Sequence, residues 1–334
     1  MTILDSELQC FKSAVVNDTT ANGGRLSATR VISGVVQNVW PHVLKAERDA
    51  GSTKYRKLFF KVSNDADETL LSAQLFLDGP TAAGDYVTMF AATQRNTRAD
   101  ITGAERKYGA ALLQADAGAG SSTLVLEVEH ADLTGMFLDG DTVRVTNKAT
   151  PTSGTGTEEL VTISGNPVVA GLQVTITLAA PLANAYSTAS GSRAASVYNV
   201  GDVLCTFDNW VETTAAGTYD ETVYPPILDN IGTVEQTWTL TFSDATNFTV
   251  AGDTVGSVGA GNISTNFTPN NPDWSKPYFT LDAAGFGGTW ANGNTIVFQT
   301  HPAAVPVWEK RVVPAGTATM ANNKVTAVFM GESA

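Results

Sequence analysis

Apolar and polar residues alternate in short runs along most of this 334-residue chain. Val174-Thr175-Ile176-Thr177-Leu178 places its apolar side chains on one face, the pattern of a half-buried strand. The same reading predicts strands over 55–62, 70–77 and 86–91, then over 123–128, 143–146, 160–163 and 174–178. Longer strands follow at 234–242, 248–250, 278–281, 295–300 and 325–330. Turn chemistry separates them: Asn64-Asp65-Ala66-Asp67, Asp78-Gly79-Pro80, Ser153-Gly154-Thr155-Gly156 and Ser164-Gly165-Asn166-Pro167. At five places Gly followed by Asp or Asn introduces a β-type run, at Gly84, Gly140, Gly201, Gly252 and Gly293. Glycine reaches the positive φ of tight turns and Asp or Asn bonds nearby backbone, so several all-β modules are expected.

The first 50 residues lack clear periodicity. They read as an N-terminal arm with a short helix over 41–50, Pro41 in its first turn and Gly51 at its end. A mobile arm before Arg25 that orders on a neighbour fits this reading. The strands of 51–104 have the spacing of the first part of an immunoglobulin-like β-sandwich. Residues 105–198 read as a small inserted β domain and 199–334 as a C-terminal β domain. The expected fold is all-β and multi-domain. Five of six tryptophans, at 210, 238, 274, 290 and 308, fall in the last part, where they serve cores or interfaces.

Charge changes this picture. Apolar residues make up 43% of the chain, enough for folded cores, and charged residues only 16%, for a net charge of −13. Residues 1–108 hold 13 Lys/Arg and 12 Asp/Glu, whereas the remaining 226 hold 7 and 21. No Lys or Arg occurs from Ala194 through Ser275. The densest basic stretch is Lys54-Tyr55-Arg56-Lys57-Leu58-Phe59-Phe60-Lys61. Complementary fields steer association and fix register, so Lys54, Arg56, Lys57 and Lys61 are candidates for a partner-docking strand. On that view, reversing Lys54, Arg56 and Lys57 to Glu blocks assembly and leaves the fold intact.

Candidate chemistry is sparse. His42, His130 and His301 sit in separate regions without a His-Glu-x-x-His pattern, and Cys10 and Cys205 cannot form a standard zinc site. They read as free thiols. No Gly-x-Ser-x-Gly elbow occurs. The Gly-rich stretches 118–123 and 256–261 lack the Walker lysine and a βαβ frame, respectively. Asp65, Asp67 and Glu68, or Asp139 with Asp141, offer oxygen ligands without an EF-hand layout. No catalytic residue, metal or cofactor is therefore assigned. Residues 1–16 have no continuous apolar core of a signal peptide, and no apolar run reaches membrane-spanning length. The acidic balance argues against nucleic acid.

The segment Arg56–Asn64 with Ala73-Gln74-Leu75-Phe76-Leu77 resembles an immunoglobulin-like domain of tailed-phage structural proteins. Residues 119–124 and 139–145 are similar to a module of the same proteins, as are 158–165 and 182–186. Residues 231–238 and 308–316 extend the likeness to most of 50–320. The resemblance implies a non-enzymatic virion structural protein of a contractile-tailed phage, made in the host cytoplasm. It would be a tail or baseplate component, copied around the tail axis against tube, sheath or hub proteins. The alternatives are a collar or head-decoration protein, or a module binding host-surface glycan through the middle domain. Residues 105–198, however, contain no Trp for a sugar platform. A wall-degrading enzyme is a third reading, to be tested by turnover on peptidoglycan or capsule polysaccharide.

Overall fold

Strand Ser52–Val62 organises the first module. Its aromatic and β-branched residues favour a pleated backbone, and in this computed structural model, which describes residues 2–333, it is paired along both edges. Leu8–Val15 lies antiparallel on one side and Ala304–Val313 on the other. Gly23–Val31 and Tyr86–Ala91 complete a five-stranded sheet. A second sheet of Tyr198–Val203, Leu70–Leu77 and Ala327–Ser333 faces it. Leu58, Phe60, Val62, Met89 and Val307 meet Leu70, Leu75, Leu77 and Val203 in one core, forming a β-sandwich.

This pairing revises the expected organisation. Residues 8–31, read as part of an irregular arm, form a hairpin of two strands. Register shifts between Phe11 and Ser13, and again before Val15, break the period-two pattern that identifies strands. The helix is shorter than expected, Lys45–Ala50, with Gly51 ending it at φ 79°. Strands Ala304–Val313 and Ala327–Ser333 do not stay with 199–303 but return to the sandwich. Two modules are thus inserted between its strands.

The first insertion is a seven-stranded sheet built from residues 110–196. It curls until Ile163 pairs with Leu178, so the strand Glu158–Thr162 reaches back towards Gln173–Thr177. Leu124, Leu126, Val143, Val145, Val174 and Ile176 fill the interior. Outside, Ala110, Ala195 and Val197 pack on Phe76, which lies on the back of the sandwich's second sheet. Asp78 fixes that junction by accepting from Arg144 at 2.7 Å and from Arg193 at 2.7 Å.

The second insertion, 206–301, carries an aromatic core. In Gln236–Phe242 the alternation turns Trp238, Leu240 and Phe242 inward and leaves Thr237, Thr239 and Thr241 outside. Trp290 stacks on Phe242 with ring centroids 4.1 Å apart. Of the five Gly-Asp/Asn turns, Gly140, Gly201 and Gly293 take positive φ and Gly84 and Gly252 do not. Gly252 instead admits the Trp238 ring, which a Cβ would meet at 2.8 Å. Gly288 needs both freedoms: its φ is +68° and a Cβ would stand 2.0 Å from the Ala216 carbonyl oxygen. Gly288→Ala is expected to cost about 1–2 kcal/mol, lowering the melting midpoint followed by tryptophan fluorescence.

Candidate functional site

The four basic residues of the central strand alternate between two faces, and both faces are covered. On the inner side Lys54 pairs with Glu47 at 2.5 Å and Asp18 at 3.3 Å. Arg56 pairs with Asp18 at 2.7 Å. On the outer side Lys57 is 1% exposed, and its ammonium donates to the carbonyls of Gly24 (2.6 Å), Asn96 (2.9 Å) and Gln94 (3.3 Å). Lys61, 0% exposed, donates to the Asn230 carbonyl and lies 5.2 Å from the Trp274 ring centroid. Burial pulls the Lys57 ammonium down to about 7 and that of Lys61 to about 8. The four residues hold this chain together and do not form an open docking strip. Pairing at both strand edges and cover on both faces, invisible in the local sequence, are the reason.

Trp40, Pro41 and Glu47, from the segment 32–51, reach the charged residues of the inner face. Trp40 lies between Arg56 and Arg311, 5.4 and 4.9 Å from its ring centroid, and its indole N–H donates to Glu309 at 3.2 Å. Burial pushes the Glu309 carboxyl up to about 7. Outside this polar bed the same segment turns Ile32, Val35, Val36 and Leu44 to solvent, Val36 at 74% exposure. Aliphatic groups thus face outward while charges lie beneath.

The acidic C-terminal module meets the sandwich along a seam of opposite charge. Arg25 pairs with Asp253, and Arg95 with Glu235 at 2.6 Å and Asp253 at 3.5 Å. His301 continues the line, with Nδ1 2.7 Å from Glu235 and Nε2 3.2 Å from Asp208. Its pKa is raised, chiefly by the Glu235 hydrogen bond, against the opposing effect of burial. Asn230 plugs the seam: its N–H donates to Asp67 (2.6 Å), and its amide to Asn64 (2.8 Å) and the Glu68 carbonyl (2.9 Å). Lys276 closes the far end on Asp65 at 2.7 Å. Sequence reasoning singled out neither Asn230 nor Glu235 nor Trp40. The signal for the seam was present in the cation-free stretch opposite a cation-rich one, but it was read as pointing to another protein.

Cys10 and Cys205 are free, and burial raises both thiols, Cys205 to about 11. Among the described residues no group of three or more His, Cys, Asp or Glu is placed to hold a metal ion. No helix among them is long and apolar enough to cross a membrane. Neither the family models nor the curated proteins searched contain a match to this chain.

Proposed function

We propose that this chain is a non-enzymatic structural protein of a contractile-tailed phage, a tail or baseplate component that bridges neighbouring tail proteins in several copies around the axis. The observation that carries the reading is the use of its charges. Arg25, Arg95 and Lys61, three cations of the first 108 residues, are engaged on carboxylates and a carbonyl of the acidic module, tying it to the sandwich. What faces outward includes the aliphatic segment bearing Ile32, Val35 and Val36, and the hairpin bearing Val168, Val169 and Leu172. A cross-braced body with uncharged outer patches suits a part that transmits load and docks through apolar contacts. An immunoglobulin-like classification of the sandwich belongs to the same proposal.

Immunogold electron microscopy of tailed particles, with antibody against this chain, tests it. Label at the distal end of the tail is expected. Label at the neck or head would make the chain a collar or decoration protein. Absence of label from both intact and partly dissociated particles would overturn a virion role.

A further inference from the structure

We propose that the cavity between strand Gly23–Val31 and the C-terminal module binds a neutral saccharide unit. Its volume is about 440 Å³, within the ~300–1,000 Å³ range of small-molecule sites. Trp274 and Tyr278 form an aromatic wall, and Arg25, Arg95, Asp273 and Asn271 supply polar groups around it. Sugars present C–H faces that pack on aromatic rings and hydroxyl edges that need both donors and acceptors. This lining offers all three.

The wall is held from behind. Phe11 lies edge-on to Trp274 at 4.9 Å between centroids, and the buried Lys61 ammonium is 5.2 Å from the same ring. Trp274 itself is only partly buried and lines the cavity. Arg95 is fixed by Glu235, and the Asn271 amide by the Gly232 carbonyl at 2.7 Å. A site fixed in this way loses little freedom on binding.

Other groups in the lining lack a partner. The Arg25 Nε–H is buried without an acceptor. Among the described residues, no hydrogen bond engages the Trp274 indole N–H, the Tyr278 hydroxyl or the Asp273 carboxylate. The Tyr278 side chain is 6% exposed, and its hydroxyl, in contrast to those of Tyr186 and Tyr219, is not sealed from solvent, so a ligand atom can reach it. Arg25 and Arg95 are already paired with Asp253 and Glu235, which favours an uncharged polyol over an anion. The site is distinct from the middle domain, where a glycan platform was first considered and where no Trp exists.

Saturation-transfer NMR on the full chain tests the assignment, with glucose, galactose, N-acetylglucosamine, cellobiose and chitobiose as probes. At about 10 mM sugar, ten times a 1 mM dissociation constant, transfer to ring C–H protons of at least one probe is expected. Tyr278→Phe, which keeps the ring and removes one hydrogen bond, should weaken binding about fivefold. Trp274→Ala should abolish it. Since Trp274→Ala also removes packing on Phe11, the Tyr278→Phe result decides if that variant misfolds. No transfer from any probe, or transfer unchanged by Tyr278→Phe, would overturn the proposal. So would binding of extended hexapeptides in place of sugars, which would assign the cavity to strand addition along Gly23–Val31. Either failure leaves the structural role, tested by particle labelling, unaffected.

Discussion

Lys57→Glu is expected to unfold the N-terminal sandwich and not to spoil a docking surface. The ammonium stands among the carbonyls of Gly24, Gln94 and Asn96, and a carboxylate there would face oxygens with no donor to offer them. Leaving a buried charge unpaired costs about 3–5 kcal/mol, a large share of a domain's stability. Reversal of Lys54, Arg56 and Lys57 together would add the loss of pairs to Glu47 and Asp18, so failed assembly by that variant would reflect misfolding. Lys57→Met, which keeps the stem, should be much milder. The pH dependence has a definite sign. The folded-state pKa values of Lys57 and Lys61 lie near 7 and 8, below the ordinary lysine value. Between those values and about 8.5 the unfolded chain holds more lysine protons, so stability rises with pH over this window, before the raised thiols of Cys10 and Cys205 begin to oppose it. Denaturant unfolding at intervals from about pH 7 to about pH 8.5 should show the rise, and Lys57→Met should flatten part of it. A wild-type stability that is level or falling, with Lys57→Met parallel to it, would show that the ammonium is not held as described.

How much of this could be read beforehand differs from element to element. The strand around Leu58-Phe59-Phe60 was legible, because local alternation and β-branched or aromatic content determine the backbone. Its surroundings were not, because Trp308 pairs with Lys57 and Glu309 with Arg56 from the far end of the chain. Strand alternation places Arg56 and Lys57 on opposite faces but carries no information on what covers each. The hairpin of residues 8–31 escaped notice because its bulges shift the phase of the pattern. Gly252 was read as a turn glycine because a glycine needed for a close ring contact looks the same in sequence as one needed for positive φ. Charge asymmetry was visible from residue counts, yet complementary fields attract equally within a chain and between chains. Only the fold shows that Arg25 and Arg95 find Asp253 and Glu235 of their own chain.

Glu235→Gln should loosen the seam between the sandwich and the acidic module by about 1–2 kcal/mol, since Arg95 and His301 each lose one carboxylate, while Arg95 is partly solvated and both keep a second partner. Glu235 is 4% exposed at its side chain and serves Arg95 through one oxygen and His301 through the other. Asp208 faces the opposite ring nitrogen of His301, and Asp253 shares Arg95. With carboxylates on both sides, the imidazolium form is favoured in the folded state, and the pKa is raised. Its contribution is therefore full below the unfolded value of about 6.5 and is lost as pH rises through the folded one. This slope opposes that of the buried lysines, so total stability alone will not reveal it. The difference between wild type and His301→Gln isolates it, and that difference should shrink with increasing pH, whereas the corresponding difference for Lys57→Met grows. Asp208 is half exposed, which limits the His301 term to about 1 kcal/mol. The larger loss in Glu235→Gln comes from Arg95 and His301 together. If Glu235→Gln kept the wild-type pH profile, His301 would have to hold its proton through Asp208 alone, and the seam would then be two separate pairs.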